Sequence, residues 1–138
     1  MSRWTHVSGL IRVDAFSLFR QQTLADVYEA FNKNIPTGSE GPLKIEVHKT
    51  KQEGSLVFCN VSIYGDLRDF GAEGDIKAVI RWIKNACEHL EEKAMWVRQA
   101  VIQIDDEEGN YVLLHQSAIS NDWEEDWKYK EGERWCHA

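Results

Sequence analysis

The chain has 138 residues, enough for one domain with its own core and no need of a metal or disulfide staple. It carries 23 acidic against 16 basic residues, a formal net charge of −7, which argues against a nucleic-acid partner because phosphate binding needs clustered cations. Its 43% apolar and 28% charged composition is that of a soluble globular protein, and no stretch approaches the roughly 18 apolar residues of a membrane span.

Thr5 to Ala15 reads as a first strand with Val7, Ile11 and Val13 on one face. A connection holding Phe16, Leu18 and Phe19 leads to Thr23, an N-cap with Asp26 three residues on. Leu24, Val27, Tyr28 and Phe31 then fall at helical spacing, in a helix ending near Asn34. The segment 36–42 contains both prolines and reads as a loop. Leu43, Ile45 and Val47 alternate with Lys44, Glu46 and His48 in a half-buried second strand, and residues 50–54 form a hairpin turn. The third strand, Leu56 to Tyr64, sets Val57, Cys59, Val61 and Ile63 on one face and Leu56, Phe58 and Tyr64 on the other. Residues 65–74 form a glycine-bounded loop, and Asp75 caps a second helix. Ile76, Val79, Ile80, Ile83, Cys87 and Leu90 follow the i, i+3, i+4, i+7 pattern there. Met95 to Ile104 is a fourth strand, residues 105–110 an acidic turn, and Tyr111 to His115 a fifth strand, with His48 and His115 at exposed strand positions.

The order β-α-β-β-α-β-β predicts an α+β fold: a ferredoxin-like β-α-β-β-α-β sandwich with an extra C-terminal strand and a Trp-rich tail. Right-handed crossovers place strand 1 centrally, strand 3 between strands 1 and 2, and strand 5 beside strand 4. Both helices then cover one sheet face and leave the other open. Residues 1–118 make up this domain, and 119–138 form an extension packed on it or on a neighbouring subunit. In the extension Asn121 or Asp122 caps a short helix whose face carries Trp123 and Trp127, with Trp135 beyond. These tryptophans cover the open face or form an interface, since Trp is enriched in binding hot spots. An uncovered face rimmed by polar groups is commonly closed by a second copy, so a homo-oligomer is expected.

The same topology gathers three loops and the start of strand 1 at one end of the sheet. That end collects Glu40, Asp66, Asp69, Glu73, Asp75 and the acidic turn 105–108, together with Trp4, His6 and Arg68. Trp4, His6, Glu40, Asp66, Arg68 and Asp69 are the candidate binding residues. Three readings compete for them. One is a solvated acidic face. Another is a recognition surface for a basic protein or a small polar ligand. The third is a divalent-metal site using Asp66 with Asp69, or Asp105 with Asp106. The usual nucleophile, phosphate-loop, zinc and dinucleotide motifs are absent, so no catalytic residue, metal ligand or cofactor is assigned. Cys59, Cys87 and Cys136 form no close pair, and the opening ten residues lack the apolar core of a signal peptide. Reduced thiols and a cytoplasmic location are therefore expected.

Three stretches look familiar together: residues 4–9 with Ile11, Arg12 and Asp14; residues 38–43; and residues 64–69. They resemble small uncharacterised proteins of tailed bacteriophages, over about the first two thirds of the chain. The resemblance implies no site residues. By analogy it implies a small acidic protein that works by binding in the host cytoplasm, as a counter-defence inhibitor of a host protein or by sequestering a nucleotide-like ligand. A small metal-dependent hydrolase at the acidic end, or a structural virion or scaffold component, is the alternative expectation.

Overall fold

The computed structural model describes residues 2–16, 23–70, 76–116 and 127–137. In chain order the elements are β1 (Trp4–Phe16), α1 (Thr23–Asn32), β2 (Thr37–Gly38), β3 (Gly41–Pro42), β4 (Lys44–Glu53) and β5 (Leu56–Arg68). They continue with α2 (Ile76–Glu92), β6 (Met95–Asp106), β7 (Gly109–Gln116), β8 (Trp127–Glu131) and β9 (Arg134–His137). One antiparallel sheet of seven strands runs β4-β5-β1-β6-β7-β8-β9, and β2 and β3 form a separate two-stranded ribbon.

The expected ferredoxin-like sandwich is corrected by this sheet. The molecule is mostly β, with seven strands in its main sheet and two helices among the described residues. The neighbours of β1 are those that the crossover argument requires, β5 on one side and β6 on the other. The class differs because strand pairing reaches well beyond those core elements. β5 runs on through Gly65 to Arg68, where a loop was expected, because β1 extends to Trp4 and offers it partners throughout. Thr37–Pro42, read as plain loop, closes the small ribbon. The tail contributes β8, which pairs with β7, and β9, which pairs with β8. Trp127 therefore lies in a strand and not on a helix face, while Trp123, Asn121 and Asp122 lie outside the described residues. The local sequence carries the reason: Trp127-Lys128-Tyr129-Lys130 alternates with period two, and Gly132 at φ 62° turns the chain back.

Both helices lie against the face that carries Val7, Ile11, Val61, Ile63, Val97 and Ile102, all buried in one cluster with Val27, Phe31, Val79, Ile83 and Leu90. Each fully buried aliphatic side chain there contributes about 1.5–3 kcal/mol relative to exposure. The helices are tied to each other by Trp82, whose indole N–H donates to the Phe31 carbonyl at 2.9 Å while the two rings meet edge to face. Gly9 lets β6 approach β1: a Cβ there would lie 2.6 Å from the Val101 carbonyl oxygen and 2.5 Å from Ile102 Cγ1. His115, expected to be exposed, is buried and stacks on Trp127 with ring centroids 4.5 Å apart. Pairing of β7 with β8 sets the two side by side on the helix-bearing face. Leu24 and Tyr28, by contrast, stay exposed on the outer side of α1.

Two outcomes test this packing. Trp127→Ala removes a fully enclosed indole and is expected to lower unfolding free energy by about 3–5 kcal/mol, measured by denaturant titration. Trp135→Ala, at a half-exposed site, should change it by no more than about 0.5 kcal/mol. Glu91 accepts the Val97 amide at its Oε1, and burial pushes its carboxyl above the ordinary value despite that bond and nearby Arg98. The native state thus favours neutral Glu91, a contribution present at low pH and lost as pH rises through the carboxyl range. Glu91→Gln keeps the acceptor and is expected to be more stable than the parent at pH 7, with the gain gone near about pH 4. A loss of stability at pH 7 would count against this account.

Candidate functional site at the acidic end of the sheet

The antiparallel register decides which residues meet at the end of β1. Trp4 stands opposite Arg68, and His6 stands between Asp66 on β5 and Asp105 on β6. These side chains lie on the sheet face away from the helices, because His6 shares the phase of Leu10 and not that of Val7.

Close contacts follow from that register. His6 Nδ1 lies 2.5 Å from Asp66 Oδ1, and its ring stacks parallel to Trp4 at 6.3 Å between centroids. The Arg68 guanidinium sits 5.9 Å over the other aromatic partner, Trp4, and Arg68 Nε donates to Ser2 Oγ at 2.9 Å. Arg68 also lies 3.8 Å from Asp69 and 3.9 Å from Glu40. Glu40 reaches it because the ribbon is pinned to β5, where the Ser39 amide donates to the Arg68 carbonyl at 2.8 Å. Gly38 allows the pinning, since a Cβ there would lie 2.6 Å from the Arg68 nitrogen. Asp69 exchanges bonds with Arg3: its amide donates to the Arg3 carbonyl and its Oδ1 accepts the Arg3 amide. Asp69 holds φ 49°, a left-handed conformation that Asp tolerates better than most residues. Arg3 extends to Glu108 at 3.7 Å, and Asp106 Oδ1 accepts the amides of Glu108 and Gly109 to close the β6–β7 turn.

The six candidate binding residues are thus brought to one end, whereas Glu73 and Asp75 lie outside the described residues. The carboxylates are engaged separately: Asp66 with His6, Asp69 with Arg3 and Arg68, Asp106 with its own turn. Among the described residues no group of three or more His, Cys, Asp or Glu side chains is arranged to hold a metal ion. The negative field is felt nearby. Burial pushes the Tyr111 hydroxyl above its ordinary value, and Asp106, Glu131 and Glu108 push it further.

Ser2 and Arg3 escaped the sequence reading. Their only signal is their place immediately before a strand whose register is set by β5. Also missed was a cluster at the far end of the open face. Asp14 is buried there with Arg98 Nε donating to Oδ2 at 3.0 Å and Arg12 Nε 3.5 Å from Oδ1. Arg12 lies over Phe58, and Phe16 meets Trp96 edge to face. A register shift opposite Arg12 and Val13 leaves Arg98 as the extra residue on β6, so no alternation rule places it beside Asp14. Cys59 and Cys87, each on an apolar face in the sequence pattern, are buried, with burial raising both thiols.

Comparison with known proteins gives no match to any protein-family model, curated protein or solved structure. No helix among the described residues is long and apolar enough to cross a membrane.

Gly38→Ala tests how the site is assembled. Both nearest obstacles are Arg68 backbone atoms, which cannot move aside cheaply. Hydrogen exchange at the Ser39 amide is expected to accelerate while the β1 core amides stay protected. Unchanged protection at Ser39 would mean that the ribbon is held by other contacts.

Proposed function

We propose that the protein acts by binding, without catalysis, and that the acidic end of its sheet receives a protein partner with a basic surface. The supporting observation is a charge balance fixed by the fold. Seven carboxylates (Glu40, Asp66, Asp69, Asp105, Asp106, Glu107 and Glu108) meet two arginines at this end. Both arginines are already occupied by carboxylates within it, so this end holds most of the chain's formal −7. Exposed ion pairs of this kind add little stability, about 0–1 kcal/mol each, so they do not by themselves account for so much like charge in one place. A long-range field of one sign speeds encounter with a partner of the other sign. Trp4, braced by Arg68 and His6, adds a flat aromatic surface of the type that anchors interfaces. The resemblance of residues 4–14, 38–43 and 64–69 to small tailed-phage proteins supports a target in a host cell.

The test is capture of host proteins on the immobilised chain over a salt series. A specific partner is expected to dissociate as salt rises and to be lost from the combined variant Glu40→Lys, Asp66→Lys, Asp69→Lys. Retention of that partner by the folded variant would sink the proposal. Native mass spectrometry of the gently purified protein separates the other outcome: a retained small mass would assign this end to a polar ligand instead.

A further inference from the structure

We infer that the far end of the open sheet face binds a small aromatic phosphate, gripped by Arg12 and Arg98 and stacked against the rings beside them. Strand pairing builds this site around one residue. Asp14 stands opposite Phe58 on β5 and opposite Trp96 on β6, and Arg12 and Phe16 lie two places away from it along β1. All five side chains therefore share the open face. The bulge in β6 brings in Arg98 as a further neighbour. Asp14 is only 4% exposed, yet its Oδ1 has no hydrogen-bond partner. About eight residues of β1, roughly 27 Å at ~3.4 Å each, separate Asp14 from His6 at the acidic end.

The charges identify the ligand. Arg98 Nε hydrogen-bonds Asp14 Oδ2 at 3.0 Å, and that bond alone matches the carboxylate. Arg12 Nε stands 3.5 Å from Oδ1 and makes no hydrogen bond to it, so its positive charge is left over, on a chain whose formal net charge is −7. Among the described residues neither guanidinium has a second carboxylate in ion-pair contact. Glu91, whose carboxyl feels Arg98 from further off, is committed to the Val97 amide. The Arg12 and Arg98 side chains are about half exposed, so their remaining N–H groups reach solvent. A guanidinium fork matches the oxygens of a phosphate, and two forks held by one buried carboxylate are oriented before a ligand arrives. The rings supply the rest. Arg12 lies 5.4 Å over the centre of Phe58, while Phe16, 49% exposed, meets Trp96 edge to face at 5.3 Å. These apolar faces next to a surplus cation suit a planar ring that carries one anionic group. The net negative charge of the chain repels a polyanion far more than a single phosphate, which selects a small ligand over a nucleic-acid strand.

Isothermal titration calorimetry of the full chain with phenyl phosphate and with adenosine monophosphate is expected to show saturable binding, about tenfold or more tighter than inorganic phosphate. Arg12→Gln keeps the Asp14–Arg98 bond and should weaken both probes about tenfold or more, with an unchanged circular-dichroism spectrum. Trp96→Leu should bring both down towards inorganic phosphate. Arg98→Gln alone would strip Asp14 of its hydrogen bond, so it is combined with Asp14→Asn; the folded double variant should also lose the probes. The charge-reversed acidic-end variant should bind them as the parent does, which separates this site from the one proposed for a basic partner. The inference is overturned if neither probe binds, if Arg12→Gln binds as the parent does, or if the acidic-end variant is the one that loses the probes. Tighter binding of a single-stranded oligonucleotide than of either probe would overturn it as well.

Discussion

The structure depends on β1 being paired on both sides along nearly its whole length. Thirteen residues of β5 face thirteen of β1, and β6 pairs with it from Ala15 back to His6. Side chains alternate between faces, so this double pairing sorts the residues of the centre, apart from the bulged Arg98, into core or open face. Val7, Ile11 and Val13 go under the helices, and His6, Leu10 and Arg12 go outward. Gly9 makes it possible, because any larger residue would hold β6 away from β1.

That sorting leaves the open face with two unlike ends. At one end Asp14 is buried among Arg12, Arg98 and aromatic rings, its charge matched locally. A buried carboxylate persists only with such partners, so this end is tied inward. At the other end the carboxylates are exposed and exceed the available arginines, so the field points outward. Between the ends lies the apolar centre at Leu10 and Val101.

The role of the tail follows from the same pairing. β8 continues the hydrogen-bonding of β7, and Trp127 closes the helix-bearing face beside His115. Trp135 stays half exposed on β9, with Lys130 5.6 Å from its ring centre, so the tail's tryptophans divide between core and surface.

Much of this was legible in the sequence, since alternation and helical spacing are local properties. The buried faces of β1, β5 and α2, the burial of Cys59 and Cys87, and the gathering of loop carboxylates at one end all follow from periodicity and strand direction. What tertiary structure alone decided depends on contacts between distant segments. The extent of β5, the strand state of Trp127, the burial of His115 and the meeting of Asp14 with Arg98 arise from pairing across the sheet. The mostly β class itself has the same origin: a residue at the margin of two patterns takes the one whose hydrogen bonds a neighbouring strand can complete. No window of sequence contains that neighbour.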